Sequence, residues 1–249
     1  MNLTGNTIFI TGGTSGIGRA YAEAFHNLGN QVIVSGRRKG HLAEVTKANP
    51  GMQAVEFDVA NQASVEAVCK KLIADHPKLN ALINNAGVMY LDDTSAEMDD
   101  AQMQSIVATN LLGPIRVTSA LIEHLKKQPA AYVMNVSSGL AFTPMSFTSV
   151  YCATKAAIHS YTMTLRYKLK DSNVKVVEIV PPWVQTDLLN SKDNPNAMPL
   201  ADFIAESVKL LGTDADEILV ERVKVLRNNA GPNESAFFNK FQDMIAQSH

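Results

Sequence analysis

Tyr151 and Lys155 are the two side chains in this sequence whose types and spacing best suit proton transfer. They are four positions apart in a stretch, 150–170, whose apolar spacing is typical of a helix, so both are expected on one helix face. A free phenol titrates near ~10, and a neighbouring ammonium favours its ionised form. The pair can therefore act as a general acid or base near neutral pH.

A glycine-rich turn near the N-terminus has the composition of a phosphate-binding loop. It lies between a strand-like segment, 7–10, and a helical pattern, and it reads Thr11-Gly12-Gly13-Thr14-Ser15-Gly16-Ile17-Gly18. Glycines let the backbone approach a pyrophosphate, and the helix N-terminus attracts its charge. Gly18 is expected to permit close packing of the helix on the strand. Because the spacing is not Gly-x-Gly-x-x-Gly, an ordinary glycine turn is the alternative interpretation.

The end of the second expected strand indicates which dinucleotide such a loop would hold. NAD-binding proteins place an acidic residue about 20 residues after the glycines, where it bonds the ribose 2′-hydroxyl. Here that region reads Ser35-Gly36-Arg37-Arg38, without an acid. A guanidinium binds a 2′-phosphate bidentately. The sequence therefore predicts NADP(H) in preference to NAD(H), with Arg37 the leading contact and Arg38 the second; a solvated turn is the alternative.

An α/β framework is needed to position these residues. Short apolar runs alternate with longer stretches of helical spacing. Strands are expected at 7–10, 31–35, 54–57, 81–83, 131–136, 175–180 and 217–220, and helices at 17–28, 64–73, 98–127 and 150–170. Strands that are apolar throughout are buried on both faces. The pattern predicts a Rossmann-type, doubly wound, mostly parallel seven-stranded sheet with helices on both faces.

The chain is expected to form one domain over 1–249, because no Pro- or Gly-rich linker and no internal repeat divides it. The turn-rich segment at about 188–200 follows the sixth strand. Ligands of open α/β sheets bind at that edge, so this segment is a candidate substrate lid.

Three motifs in order make the chain resemble the short-chain dehydrogenase/reductase family over almost its whole length. They are Thr11-Gly-x-x-x-Gly-x-Gly after the first strand, Asn84-Asn85-Ala86-Gly87 after the fourth, and Tyr151-x-x-x-Lys155. The resemblance implies an oxidoreductase that moves hydride between a nicotinamide and a carbonyl or alcohol substrate. In it Tyr151, assisted by Lys155, gives or takes the proton on oxygen.

The resemblance adds Ser138 and Asn110 to the catalytic set. Ser138 is thirteen residues before Tyr151 and would hold the substrate oxygen beside the phenol. The adjacent Ser137 is the alternative, although successive strand residues point to opposite faces. Asn110 would support a water-linked proton relay to the lysine; without the resemblance it is interpreted as a local cap or kink in a helix.

The remaining cofactor contacts are also implied by the resemblance. Asp58 would bond the adenine amine, Val59 would pack on the adenine ring, and Gly87 would leave space for the cofactor. Asn84 would tie the central strands together. The cofactor-binding set expected in this way is Gly12, Thr14, Ser15, Gly16, Ile17, Gly18, Arg37, Arg38, Asp58, Val59, Asn85, Ala86, Gly87, Tyr151, Lys155, Pro181, Val184 and Thr186.

The segment after the sixth strand departs from the family pattern at one position. It reads Pro181-Pro182-Trp183-Val184-Gln185-Thr186-Asp187, in which Pro181, Val184 and Thr186 match the nicotinamide clamp. Pro182 replaces the usual glycine, which removes an amide donor and fixes φ. This Pro-Pro pattern is similar to a subgroup of bacterial oxidoreductases named after lipoteichoic-acid D-alanylation.

Composition argues against several other functions. With 22 Lys+Arg against 24 Asp+Glu, the formal charge of −2 offers no basic excess for nucleic acid or an anionic membrane. The two cysteines, Cys69 and Cys152, lie far apart and no two histidines have metal-ligand spacing, so a metal site is not expected. The N-terminus lacks a signal-peptide pattern, and a charge-free stretch, 128–154, is broken by prolines and polar residues, so a cytoplasmic protein is expected.

The expected substrate is a small, neutral, hydrophobic carbonyl compound or alcohol, because mostly apolar residues flank the site. They are Tyr90, Leu140, Phe142, Met145, Trp183, Leu188 and Met198, for which core or lid packing is the alternative.

The resemblance implies a homodimer or homotetramer through the helices at 98–128 and 150–171. A non-catalytic NADP(H)-binding sensor on the same fold is the alternative function. The presence of all four proton-transfer residues favours the enzyme.

Overall fold

A computed structural model describes residues 1–229 and 231–246. The strands are β1 Thr7–Ile10, β2 Gln31–Gly36, β3 Gln53–Glu56, β4 Leu79–Asn84, β5 Ala131–Val136, β6 Val174–Val180 and β7 Glu217–Leu219. They form one sheet in the order β3-β2-β1-β4-β5-β6-β7 with every pairing parallel. The predicted seven-stranded, doubly wound sheet is confirmed, and it is parallel throughout.

Helices cover both faces of this sheet. They are α1 Gly16–Asn27, α2 Lys39–Ala48, α3 Gln62–Asp75, α4 Asp100–Val107, α5 Gly113–Leu125, α6 Ser149–Leu169, α7 Leu200–Leu211, α8 Lys224–Arg227 and α9 Glu234–Ala246. A π-helical turn, Ala108–Leu112, joins α4 to α5. The single helix expected at 98–127 is therefore two α-helices joined by a wider turn, a feature often found at functional sites.

The two faces of β1 show how the core is divided. Successive strand residues point to opposite faces, so Ile8 packs in a cluster with Phe25 of α1 and Phe203 of α7. Phe9 points the other way, against Phe57 at a ring-centroid distance of 5.6 Å, and into the cluster that includes helix α5. Burial on both faces explains why the strand is apolar at every position but its first.

The stretch Asp100–Leu125 is long and apolar enough, by length and composition alone, to cross a membrane. Of its most apolar window, 44% is buried inside the protein. The core helix of a globular domain meets the same criterion, so the finding is weak evidence for a membrane span.

The carboxyl ends of four strands meet at one edge of the sheet. Ile10 of β1 pairs with Ile83 of β4, Asn84 pairs with Asn135 of β5, and Val136 pairs with Ile179 of β6. The loops that leave these strands therefore lie side by side. This edge collects the glycine turn, the segment that follows β4, the serines that follow β5 and the prolines that follow β6.

Candidate active site

The glycine turn requires its glycines for two physical reasons. Gly12 has φ +66° and Gly16 has φ +50°, a left-handed region that side chains with a Cβ rarely adopt. A Cβ at Gly18 would collide with the Asn85 side-chain amide and the Gly12 carbonyl. From the sequence, Gly18 was expected to allow the helix to pack closely on the strand. In the structure, a side chain at this position is excluded mainly by Asn85, in the loop after β4.

Asn85 braces the glycine turn. Its side-chain amide donates 3.1 Å hydrogen bonds to the carbonyl oxygens of Thr11 and Gly12. In return the Thr11 hydroxyl accepts from the backbone amides of Asn85 at 3.0 Å and Ala86 at 3.1 Å. Thr11 was not singled out from the sequence as a site residue. Its place directly before the first glycine is the signal that marks it.

The N-terminus of α1 presents backbone amides without a side-chain cap. Ser15 occupies the N-cap position and makes no capping hydrogen bond through its side chain, whereas Asn61 caps α3 and Asp99 caps α4. The Thr186 side chain approaches this turn, since a Cβ at Gly16 would lie 3.4 Å from Thr186 Cγ2. The arrangement leaves first-turn N–H groups available to donate hydrogen bonds to an anion.

Arg37 and Arg38 extend from the end of β2 into solvent. Within the described residues, neither guanidinium makes an ion pair or a hydrogen bond, while the next residue, Lys39, pairs with Glu56 at 3.2 Å. A Cβ at Gly36 would lie 2.9 Å from Thr14 Cγ2. This contact places the start of the basic turn, Gly36-Arg37-Arg38, directly against the glycine turn. Binding of a 2′-phosphate by the arginines, as expected from the sequence, requires this proximity.

The residues expected at the adenine end follow β3. Asp58 is half-buried, and its Oδ1 accepts the backbone amide of Ala60 at 3.0 Å. Val59 is buried against Gly113, where a Cβ would lie 3.0 Å from the valine side chain. The neighbour of the valine is therefore the first turn of α5.

The candidate catalytic serine is distinguished from its neighbour by orientation. The Ser138 side chain interacts with the Tyr151 phenol and lowers the pKa of that phenol, and its Oγ accepts the backbone amide of Leu140 at 3.1 Å. The Ser137 hydroxyl instead donates to the carbonyl oxygen of Ile179 at 3.4 Å. The geometry favours Ser138, as the alternation of strand residues predicts.

Tyr151 and Lys155 are both buried on the sheet-facing side of α6, at 7% and 5% exposure. Lys155 Nζ lies 5.5 Å from the centroid of the tyrosine ring and donates a 2.8 Å hydrogen bond to the Val136 carbonyl oxygen. Burial raises the pKa of Tyr151, which the Ser138 hydrogen bond partly offsets. Burial lowers the pKa of Lys155 to about 8, against an opposing effect of the Glu178 charge.

Asn110 lies in the π-helical turn and connects that turn to the loop after β4 through two hydrogen bonds. Its Oδ1 accepts the Val88 amide at 2.9 Å, and its Nδ2 donates to the Val88 carbonyl at 2.8 Å. A Cβ at Gly87 would lie 3.5 Å from Asn110 Oδ1 and 3.9 Å from Lys155 Nζ. Gly87 thus lies between the asparagine and the lysine, and the asparagine is more than a local helix cap.

Asn84 ties the two central strands together, as expected. Its Nδ2 donates to Asn135 Oδ1 at 2.8 Å and to Thr118 Oγ1 at 2.9 Å. Asn135 in turn donates to Thr162 Oγ1 of α6 at 2.9 Å. This buried network joins β4, β5 and the helices α5 and α6 beneath the candidate catalytic groups.

The segment expected to form a lid is folded back on the segment after β6. Val184 pairs with Met198 in an isolated parallel bridge. The buried Ser191 hydroxyl lies 2.8 Å from the Val184 carbonyl and 3.2 Å from that of Thr186. The carbonyl oxygen of Pro181 accepts a 2.9 Å hydrogen bond from the backbone amide of Gly139, which follows Ser138. Pro182, which stands in place of the usual glycine, therefore leaves this hydrogen bond to the loop after β5 intact.

The apolar residues expected around the pocket fall into three groups. Leu140 and Met145 are half-buried. Tyr90, Trp183 and Leu188 are 37%, 40% and 41% exposed. Phe142 and Met198 are buried members of the main core cluster, so core packing is the correct interpretation for these two. The exposed group offers apolar surface to a ligand.

An ion-pair network lies beside helix α6 and was not expected from the sequence. His159 Nδ1 lies 2.7 Å from Glu178 Oε2. Arg227 donates to both carboxylate oxygens of Glu217, at 2.7 and 3.1 Å. Three of these groups could offer ligand atoms within 4.8 Å of one another. Because Arg227 already occupies both Glu217 oxygens, we interpret the cluster as an ion-pair network and not as metal ligands.

The C-terminal segment closes one side of the loop that leads to Tyr151. Gln242 of α9 donates to the Pro144 carbonyl at 2.8 Å and accepts the Ser146 amide at 2.8 Å. A cavity of about 330 Å³ lies between the two segments. It is lined by Phe142, Thr143, Pro144, Asn229, Glu234, Ser235, Phe238 and Asn239.

Known proteins are similar to this chain in sequence and in fold. The family model described as short chain dehydrogenase matches residues 6–197. The chain is 36% identical to "Uncharacterized oxidoreductase DltE" of Bacillus subtilis, over 92% of this chain and 93% of that protein. This relative confirms the expected likeness to the subgroup named after D-alanylation.

Solved structures agree on the fold. A short chain dehydrogenase from Burkholderia cenocepacia in complex with NADP superposes with a TM-score of 0.85 at 22% identity, covering 96% of this chain and 98% of that one. A short chain dehydrogenase/reductase from Burkholderia phymatum in complex with NAD gives 0.83 at 21%, covering 91% and 93%. With motifs, family match and fold in agreement, the chain belongs to the short-chain dehydrogenase/reductase family of oxidoreductases.

Proposed function

We propose that the protein is an NADP(H)-dependent oxidoreductase that interconverts a carbonyl compound and an alcohol. The observation that carries the proposal is the contact of three groups at the sheet edge. The Ser138 side chain interacts with the Tyr151 phenol, and Lys155 Nζ lies 5.5 Å from the centroid of the phenol ring. A proton donor, a hydroxyl to hold an oxygen and a nearby ammonium are the groups this reaction needs.

The residues at the edge fit a dinucleotide. The glycine turn would hold the pyrophosphate, because its left-handed glycines bring the backbone close and the α1 amides lack a side-chain cap. Asp58 and Val59 would hold the adenine, and Pro181, Val184 and Thr186 the nicotinamide. When bound, the nicotinamide would supply or accept the hydride. The neighbours in complex with NAD and with NADP support this class of cofactor.

Tyr151 would transfer the proton at the substrate oxygen, and Ser138 would hold that oxygen beside the phenol. Lys155 favours the ionised phenol through its charge, which opposes the effect of burial on the tyrosine. Asn110 and Gly87 border the lysine, and a water-linked relay past Asn110 would return protons to it. The buried setting strengthens each of these electrostatic interactions.

Preference for NADP(H) over NAD(H) rests on the basic turn after β2. Both arginines, Arg37 and Arg38, are exposed and without a partner among the described residues, so both guanidinium groups are free to bind a 2′-phosphate. The turn touches the glycine turn through Gly36 and Thr14. An acidic residue that would bond the ribose and repel the phosphate is lacking in Ser35-Gly36-Arg37-Arg38.

A neutral, hydrophobic substrate is proposed from the exposed apolar residues near the edge, Tyr90, Trp183 and Leu188. Such surface favours contact with apolar groups of a ligand. We propose assembly into a homodimer or homotetramer through the helical stretches at 98–128 and 150–171, because Leu112, Met163 and Tyr167 expose 38%, 49% and 66% of their surface. A cytoplasmic location is proposed from the two buried free thiols.

The test is consumption of NADPH at 340 nm against a panel of aldehydes, ketones and diketones, with NADH in parallel. The matched variants are Tyr151→Phe and Tyr161→Phe, both in α6. Turnover that falls about 10²-fold or more in the first and persists in the second is expected. Binding of NADPH by the wild type without turnover on any substrate would favour the sensor alternative, and absence of binding would contradict the proposal at its first step.

A further inference from the structure

Glu178 is a buried carboxylate close to the catalytic helix. It is 0% exposed, in the middle of β6, and His159 lies 2.7 Å from its Oε2. Its other oxygen, Oε1, is buried without a hydrogen-bond partner among the described residues. An ionised carboxylate in such a place is costly unless a cation balances its charge.

Lys155 is a nearby cation that makes no ion pair with a carboxylate within the part of the chain that the structure describes. It lies four residues before His159, so both side chains occupy the same face of α6. Its Nζ is bonded to the carbonyl of Val136, the β5 residue next to Asn135, which pairs in register with Glu178. The lysine and the carboxylate therefore share the layer between α6 and the sheet.

We propose that Glu178 is a positioning residue for the reaction: its carboxylate keeps Lys155 protonated in the buried site, and His159 holds that carboxylate in place. The role in the reaction rests on the function proposed above. The charge pairing itself is a property of the folded protein and can be tested without turnover.

The other charged and titratable groups in this region leave that pairing open. On α6 they are Tyr151, Cys152, His159 and Arg166; β7 contributes Glu217 and α8 contributes Arg227. Arg227 is held by both oxygens of Glu217, and Arg166 donates to backbone carbonyls at Val176 and Asp216.

Arg227 pairs with Glu217, and Arg166 pairs with Asp216 at 3.8 Å. Of the lysine and arginine side chains named here, Lys155 is the one left to balance the charge of Glu178. The direction of the effect agrees, since burial lowers the pKa of Lys155 to about 8 and the Glu178 charge opposes that change. Loss of the carboxylate would lower the pKa of the lysine further and remove its charge near neutral pH.

The first test is thermal unfolding of the wild type, E178Q, K155M and the double variant between pH 6.5 and 10. At pH 7 E178Q forces a buried ammonium to lose its partner or its proton, whereas at pH 10 the lysine is neutral in wild type as well. The drop in Tm caused by E178Q is expected to be about 3 °C or more larger at pH 7 than at pH 10. In the K155M background this pH dependence is expected to vanish.

A drop that is equal at both pH values, or that depends on pH equally in K155M, would overturn the proposal. If E178Q alone does not fold, the double variant is expected to fold at pH 7, since removing both charges restores the balance. A double variant that also fails to fold would count against the pairing.

The second test is the pH profile of kcat/KM for carbonyl reduction, which requires a charged Lys155. In E178Q the loss of activity at alkaline pH is expected to move down by about one pH unit. Glu178→Asp keeps the charge and is expected to retain the wild-type pH profile of kcat/KM. The exposed Glu66→Gln is the control. An unmoved profile in E178Q would refute the role in the reaction. Wild type without turnover would refute the proposed function, while the unfolding data still decide the charge pairing.

Discussion

Lys155 Nζ donates a 2.8 Å hydrogen bond to the carbonyl oxygen of Val136, the last residue of β5. The bond fixes the ammonium at the end of the central strand, two residues before Ser138 and one helical turn from Tyr151. A strand end and a helix face thus meet at the lysine. The three groups are held by rigid elements, which is the condition for keeping proton-transfer geometry.

Replacement of Lys155 by Met is expected to lower kcat/KM by about 10²-fold or more, while Lys170→Met at the end of α6 leaves it unchanged. The buried ammonium has a pKa lowered to about 8, against ~10.4 when unfolded. The unfolded chain therefore binds more protons between these values, and wild type gains stability with rising pH relative to K155M. The difference is expected to approach about 3 kcal/mol.

Urea unfolding of wild type and K155M at pH 7.5, 8.5, 9.5 and 10.4 measures this difference. Burial raises the pKa of Tyr21 and Cys69, which are not among the candidate site residues and contribute equally to both proteins, so they cancel in the comparison. A difference that stays constant with pH would show that the ammonium is not destabilised by burial.

Ser138→Ala is expected to lower kcat/KM about 10²-fold, because the hydroxyl that meets the Tyr151 phenol is lost. Ser137→Ala is the matched control, since its hydroxyl bonds the Ile179 backbone on the other face. That change is expected to leave kcat/KM within a factor of about 3 and to cost about 1 kcal/mol of stability. Steady-state kinetics and urea unfolding of both variants check the assignment, and the reverse pattern would transfer the role to Ser137.

Gly18→Ala is expected to destabilise the protein by about 1–3 kcal/mol and to weaken NADPH binding. The added Cβ collides with the Asn85 amide and the Gly12 carbonyl. The Asn85 side chain, which is hydrogen-bonded to the glycine turn, must therefore move. Gly40→Ala in α2 is the control, because an added Cβ would meet no described atom within 4 Å beyond its chain neighbours and its own helix backbone. Its stability is expected to be unchanged or higher.

Unfolding midpoints and NADPH titrations of the two variants distinguish these outcomes. Equal stability and affinity for Gly18→Ala and Gly40→Ala would show that the Asn85 brace tolerates a side chain.

Arg37→Asp is expected to lower the NADPH/NADH ratio of kcat/KM by about 10²-fold, through loss of a bidentate phosphate contact and gain of a repulsive charge. Lys47→Asp makes a similar charge change near the other end of α2 and is expected to leave the ratio unchanged. The measurement is kcat/KM with each cofactor at fixed ionic strength. A ratio that moves equally in both variants would indicate a general field effect instead of a specific contact.

Much of the fold is local in origin and could be predicted. The strands are apolar at nearly every position because both sheet faces are covered, and the glycine, Asn-Asn-Ala-Gly and Tyr-x-x-x-Lys motifs mark loops and helix faces. The prediction of a single long helix at 98–127 was incomplete. It missed the π-helical turn, where Asn110 is hydrogen-bonded to the Val88 backbone. A contact between distant loops leaves no periodicity in either segment.

Local sequence by itself determined the order of elements, the glycine turn and the spacing that places Tyr151 and Lys155 on one helix face, since these depend on neighbours along the chain. Only the tertiary structure decided that Ser138 and not Ser137 meets the phenol, and that Asn85 braces the turn. It alone brought Glu178 beside the catalytic helix next to His159. These relations join segments far apart in sequence, so their energies depend on packing and burial that exist only once the sheet has formed.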